Sequence, residues 1–565
     1  MLKKIKNFLN TNIFFLILLT IVVFSLYGKS ISFEETGFDD TSLITKNINF
    51  ISNYKNIPKL FIMSPYYDNF TTYYRPMLSV SFAIEAFFVR NNLRLYHITN
   101  IILFILSLYL FYLFCIELKL NSVITKFVLL IVAVHPMFVS VVAWIPGRND
   151  SLLTVFYFSS FIFFIKYLNT QKIKYAFLFG LFFVLSLFTK ETFIVLILLY
   201  FVYLFLFEHE IQKKKLLFLF FSLVPFVLAF FFLRSYAVYT FGYEHYALKI
   251  SVITLNFIKY IFIYVYNFFV PEYIPTMLFN VSLSLKTVVY NLLFISVILF
   301  ALYKKMLSKK IFVFSILLVF LALSPTFLQE DVVYLNHRFI VCSLGIIMII
   351  VSAFEYLISN FEKIKIFFII CSIILFVSLF LFSYKQEDKY KDSETFWVNA
   401  YVDSPENVLT CKNLARIYLD RGMLKEAEHF MKKTIELKSN YGTLIDYARF
   451  LIMTGDMEQA ETALLQLEND MKKGKDFVYY PLSIIYYKKQ DYKKAEYYAL
   501  MAYEINRYDM NYCKQLIKIY DVTEKYDEEL KVYEQLSGYD KRNKEYKNKI
   551  TELKERIKNR ETKNA

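Results

Sequence analysis

Apolar and polar positions divide the chain into two unlike parts. Up to about residue 385 the apolar residues come in long runs separated by short polar connectors. Beyond that point charged residues are interleaved with apolar ones at helical spacing. A helix crosses a bilayer with about 17–25 residues. Runs at Asn12–Tyr27, 97–116, 127–143, 151–168, 175–189, 192–207, 216–234, 287–303, 310–328, 339–358 and 366–383 therefore predict about eleven crossing helices. The fold class expected is all-α: a polytopic transmembrane bundle over 1–385, then a helical repeat domain over 393–565. The break falls near 383–392.

The first run follows Lys3, Lys4 and Lys6, as in a signal peptide, but no small-residue cleavage site follows it. It reads as a retained anchor. Lysines also mark the connectors at Lys119 and Lys126, Lys166 to Lys174, 213–215, 304–310, and Lys363 with Lys365. Basic connectors stay cytoplasmic, so the amino terminus is expected inside and the repeats outside. The stretch 250–270 would upset this alternation if it crossed alone. It is expected to be re-entrant or interfacial, ending at Pro271 and Pro275.

In the second part a period of about 34 residues recurs. Ala415, Ala448, Ser483 and Ile517 share one small-or-apolar position, and Ala427, Ala460, Ala495 and Glu529 share a second, twelve residues on. Turns fall around Gly422, Gly455, Gln490 and Lys525. This resembles the tetratricopeptide repeat, in which small residues let paired helices touch. Three repeats follow the pattern; the fourth departs from it at Glu529, and 542–565 reads as a capping helix. Such stacks expose a concave face suited to an extended peptide or a partner domain. They also serve as plain braces.

Composition sharpens this picture. Hydrophobic residues make up 57% of the 565 and aromatic ones 20%, against about 45–50% apolar in ordinary globular chains. A formal charge of +15 would suggest nucleic acid in a soluble protein. Here topology-setting lysines and solvated helix faces account for it, and no nucleic-acid partner is expected. Cys115, Cys342 and Cys371 lie in apolar runs as small packing residues. Cys411 and Cys513 are too many repeats apart to bridge.

Polar residues at membrane depth or at its edge are costly, which makes them candidates for function. Five clusters fall on the side predicted to be outside. The first is Asp39 and Asp40 in the long loop of about 29–94, a carboxylate pair able to supply a general base or to hold a cation. An acidic pair in a loop is also commonly a solvated turn. The second is Tyr73-Tyr74-Arg75-Pro76, followed by Glu85, with His97 and Asn100 one turn apart at the next span. Arginine suits bidentate phosphate binding; His97 can equally be a hydrogen-bonded helix-end residue. The third is His135 inside an apolar run, leading to Arg148 and Asp150, which could form only a boundary ion pair. The fourth is Lys190 with Glu191 in a near-loopless corner. The fifth is Asn336-His337-Arg338, with Arg234 placed to join it. Several cations and carboxylates on one membrane face suit a lipid phosphate head group, whether it reacts or is only bound.

The ordered series FDD, YRPML, SFAIE, YHITN, HPMFVSVVAWIPGRND, LFTKET and NHRF resembles the membrane domain of the GT-C glycosyltransferase superfamily. The resemblance is to its members with carboxyl-terminal tetratricopeptide repeats, such as the O-mannosyltransferases and their bacterial relatives. It is weakest between about 235 and 330. It implies transfer of a sugar, commonly mannose, from a polyprenyl-phosphate donor to a protein, peptide or glycan acceptor on the extracytoplasmic face. The membrane implied is a bacterial inner or plasma membrane. Asp39 and Asp40 would supply the catalytic carboxylate, with Asp40 preferred. Arg75, His97, His135, Arg148, Lys190 and Arg338 would bind the donor phosphate or place the sugar, and Asp150 and Glu191 would orient those cations. No His/Asp ligand spacing argues for a divalent metal beside the acidic pair. A non-catalytic membrane scaffold, and a lipid-glycan transporter, remain alternative readings.

Overall fold

The computed structural model describes residues 11–66, 73–207, 213–238, 250–279, 282–328, 333–361, 365–472, 474–507, 509–539 and 544–564. Among them the chain is helical throughout, without a strand; a lone antiparallel bridge joins Leu278 to Tyr334. It divides into two units, 1–405 and 406–565.

In the first unit eight helices among the described residues are long and apolar enough to cross a bilayer. They are Asn12–Ser32, Leu93–Glu117, Ile145–Thr170, Leu219–Ala237, Leu285–Tyr303, Lys309–Thr326, Asn336–Asn360 and Ile366–Tyr390. The expected count of about eleven does not follow from these lengths. The run 127–143 is bent by 64° between Ser122–Ala133 and Pro136–Val142, and would make a ninth only as a broken span. Pro136 explains the break, because it lacks an amide hydrogen and its ring excludes the preceding turn. The runs at 175–189 and 192–207 form shorter apolar helices, Ile173–Leu187 and Thr192–Phe207. The stretch expected to be re-entrant or interfacial is one continuous helix, Ile250–Phe269, ending just before Pro271 and not among the eight.

The interior of this unit is largely aromatic. Phe161 stacks on Tyr200 at 4.5 Å, and Phe114, Phe158 and Phe314 meet the same cluster at tilted or edge-on angles. Offset and edge-to-face pairs are the favoured arrangements of such rings. All five cysteines are free; Cys371 is exposed, so it is not the packing residue expected, because its helix turns that face away from the protein.

The second unit is a run of helix hairpins. First helices begin at Val408, Tyr441, Asp476 and Met510, and second helices at Leu424, Met457, Tyr492 and Tyr526. The small residues explain the close pairing: Ala415, Ala448, Ser483, Ala427, Ala460 and Ala495 are all fully buried. Side-chain caps start the helices, with Asn407, Asn440, Asp456, Asp491 and Asp509 accepting from backbone amides one turn on. Left-handed residues turn each hairpin at Gly422, Gly455, Gln490 and Glu524, the last one position before the turn expected at Lys525. The fourth pair forms despite Glu529, which is buried at the small-residue position, and a final helix, Lys544–Asn564, follows.

The boundary differs from the one composition suggests. The helix Ser393–Asp403 was expected to open the repeat domain, yet it belongs to the first unit. Its Phe396 and Trp397 are buried there.

Candidate active site

Asp39 opens a five-residue helix, Asp39–Leu43, reached through Gly37 at φ 67. That left-handed residue, natural for glycine, folds the preceding backbone over the helix start. As a result Asp40 points inward. Its carboxylate accepts from the Thr36 amide at 2.6 Å, the Thr36 hydroxyl at 2.9 Å, the Phe38 amide at 3.2 Å and the Thr41 amide at 3.0 Å. Asp40 is 1% exposed and serves as the peg of the turn. The preference for Asp40 as base therefore reverses. Asp39, its neighbour, faces a cavity of about 460 Å³ and is only partly buried.

Charged side chains from distant segments line the same cavity: Arg75, Lys190, Glu191, Arg234 and Arg338, with Tyr66, Trp144 and His337. Two corners of chain are clipped together to build it. The Tyr74 amide donates to Glu191 Oε1 at 2.8 Å, Arg75 Nε donates to Glu191 Oε2 at 3.2 Å, and the Met77 amide donates to the Phe188 carbonyl at 3.0 Å. Pro76 starts the helix Pro76–Val89 and fixes Arg75 just outside it, where the guanidinium lies 4.2 Å from the Tyr73 ring centre. Lys190 donates to Asp150 Oδ1 at 2.6 Å, and Asp150 closes a small side pocket that also holds Asp39 and His337. Arg338 Nη1 donates to the Val333 carbonyl at 3.1 Å.

These surroundings set the charge states. Burial pushes the Asp39 carboxyl up to about 6, reinforced by the Asp40 charge and opposed by the Tyr66 hydrogen bond and by Arg75 and Arg338. Burial also pushes Asp40 up to about 6, against the pull of its Thr36 and Thr41 hydrogen bonds. For Glu191 burial works against ionisation, but Arg75 and the Tyr74 amide outweigh it and hold the carboxyl low. Burial lowers Lys190, with Asp150 pulling the other way.

Three expected residues stand elsewhere. Arg148 is fully buried: Nε donates to Asn100 Oδ1 at 2.8 Å, Nη1 to Glu85 Oε2 at 2.7 Å and Nη2 to the Tyr96 carbonyl at 2.7 Å. It is a knot tying the Pro76, Leu93 and Arg148 helices and is not among the residues lining the cavity. At the start of its helix Gly147 packs against the backbone of 140–141, where a Cβ would stand 2.3 Å from the Ser140 carbonyl. His135 caps the bend: Nδ1 accepts from the Met137 amide at 3.3 Å, which leaves Nε2 to donate to the Phe268 carbonyl at 2.9 Å. His97 is buried edge-on against Phe33 and is not among the cavity residues. Conversely, Tyr66 carries no sequence signal that marks it for the site, whereas Trp144 and His337 lay within clusters that did. Among the described residues no group of three or more His, Cys, Asp or Glu is placed to hold a metal ion.

The arrangement offers one partly ionised carboxylate facing several fixed cations across a space large enough for a sugar. Such a space can take an anionic head group and deprotonate a hydroxyl beside it.

No family model and no curated protein matches the chain. A solved structure described as "Functional Characterization of Pseudomonas Aeruginosa pilF" is similar over 30% of this chain and 82% of its own, at 16% identity and a TM-score of 0.24. That likeness is too slight to assign a family.

Proposed function

We propose that the chain is a membrane glycosyltransferase of the GT-C kind. It would move a sugar, commonly mannose in that superfamily, from a polyprenyl-phosphate donor to a protein or glycan hydroxyl on the extracytoplasmic face. The observation that carries the reading is Asp39, raised to about 6 and facing Arg75, Lys190 and Arg338 across one cavity. Asp39 takes the acceptor proton as the acceptor oxygen attacks the anomeric carbon. The bond from that carbon to the phosphate oxygen breaks, and the lipid phosphate leaves with the electron pair, inverting the centre. Arg75, Lys190 and Arg338 stabilise the charge that gathers on the leaving phosphate. The repeat unit would present the acceptor or a partner domain along its exposed face.

Purified protein incubated with radiolabelled polyprenyl-phosphate sugars and native membrane extract should transfer label from one donor. If every donor binds and none is consumed, the chain is instead a membrane-anchored repeat scaffold.

A further inference from the structure

The helix Ser393–Asp403 touches two segments that lead to opposite ends of the cavity lining, Phe38 before Asp39 and 273–279 beside Tyr334. At its first turns Trp397 meets the Phe38 ring edge-on at 5.3 Å, and Phe396 meets it at 6.1 Å. Phe38 also stacks on Trp144 at 6.0 Å. Trp144 Nε1 donates to Thr36 Oγ1 at 3.2 Å, and Thr36 is the residue that holds Asp40. Just before this helix, the Lys391 carbonyl accepts from the Glu34 amide at 2.9 Å. The acidic turn is therefore held by Trp144 and by this helix together, with Phe38 as the residue immediately before Asp39.

The far end of the helix holds a second segment. Asp403 accepts from the Thr276 amide at 2.5 Å, the Met277 amide at 3.2 Å and the Tyr273 hydroxyl. Ser404 Oγ accepts from the Phe279 amide at 3.1 Å. This segment in turn fixes the chain that leads into the cavity. Leu278 and Tyr334 exchange backbone hydrogen bonds at 3.3 and 2.9 Å, and Asn336 Nδ2 donates to the Pro275 carbonyl at 2.6 Å. The next two residues are His337 and Arg338, both on the cavity wall.

We propose that Trp397 and Asp403 are positioning residues of the cavity with separate tasks: Trp397 sets where Asp39 stands, and Asp403 sets where His337 and Arg338 stand. This rests on the glycosyl-transfer reading above. A hydrophobic clamp on Phe38 governs the proton-accepting group and should act on the chemical step. A hydrogen-bonded anchor on 276–277 governs an arginine facing the donor phosphate and should act on donor binding. Misplacing a reacting group by about 1 Å can cost about a hundredfold in rate.

The test uses the full-length protein in detergent or nanodiscs with the donor it consumes. Asp403→Asn should raise the donor KM about tenfold and leave kcat within about twofold; Asp403→Glu should recover part of the loss. Trp397→Ala should lower kcat by about tenfold to a hundredfold with donor KM little changed, and Trp397→Phe should recover part of it. Hydrogen exchange gives a second readout that needs no activity. Asp403→Asn should deprotect the amides of 276–278 and 334–338 while sparing 36–41, and Trp397→Ala should do the reverse. If both substitutions move the same parameter, or loosen both segments alike, the division of tasks is wrong while the transferase reading stands. If no donor is consumed, the transferase reading fails, and the exchange pattern alone still decides whether the helix holds the two walls separately.

Discussion

Arg148 and Arg75 each face a glutamate, yet they mark opposite kinds of place. The Arg148–Glu85 pair has side-chain exposures of 0% and 8%, and each of three guanidinium nitrogens is engaged by a protein acceptor. The Arg75–Glu191 pair has exposures of 19% and 23%, and opens on the cavity together with Lys190 and Arg338. A charge enclosed with all its partners supplies structure. A charge held on one side by a partner and open on the other has capacity left for a ligand. Buried ion pairs are sensitive to loss of one member because the other is stranded; half-open ones are sensitive in ligand affinity.

The largest effect that separates the two regions is expected at Asp39. Asp39→Asn should lower kcat by about 10²–10⁴-fold, the usual contribution of a general base. Asp40→Asn should lower activity less and lower the unfolding temperature more, because it loosens the turn that Thr36 and Thr41 close. Next comes the enclosed knot. Arg148→Met should cost about 3–5 kcal/mol of stability in thermal unfolding, whereas Arg148→Met with Glu85→Met should recover much of it, as apolar replacement of a buried pair often does. Recovery of transfer activity in that double variant would sharpen the distinction further. A smaller effect is expected on the open side: Arg75→Lys should keep the fold and raise the donor KM about tenfold, since a lysine cannot reproduce a planar fork.

The smallest effect concerns a buried carboxylate outside both regions. Glu529 occupies the small-residue position of the fourth hairpin at 3% exposure, and burial, with help from Asp521, pushes its carboxyl up to about 7. The folded chain then holds a proton that the unfolded chain releases above its ordinary value of 4.5. The contribution is full below that value and is lost as pH rises through about 7. Glu529→Ala should therefore raise the unfolding temperature of the repeat unit by about a few degrees at alkaline pH and by less at acid pH, measured by calorimetry on the full chain.

Periodicity made the helical class and the repeat contacts legible, because small residues such as Ala448 and Ala460 recur where helices touch. Cost made the cavity legible: Asp39, Arg75, Lys190, Glu191 and Arg338 are charges too expensive to leave at a membrane edge without a task. Arg148 carries the same cost, and its partners Glu85, Tyr96 and Asn100 come from other helices, so nothing in its own segment sets it apart. His135 was misleading for a similar reason, since a polar residue in an apolar run also serves as the cap of a break at Pro136. Asp40 and Asp39 are adjacent in sequence and opposite in direction, which only the turn at Gly37 decides. The helix Ser393–Asp403 groups with the first unit although its polarity resembles that of the repeats, because polarity reports exposure to water and not membership of a unit.

The most direct measurement is the pH dependence of kcat for the wild type and for Asp39→Asn, with the labelled donor under saturating conditions. The wild-type rate should fall as pH drops through about 6, as Asp39 takes up a proton. The small residual rate of Asp39→Asn should lack that acidic limb. If the limb survives in Asp39→Asn and disappears in Asp40→Asn, the base is Asp40 and the reading of the cavity given above is wrong.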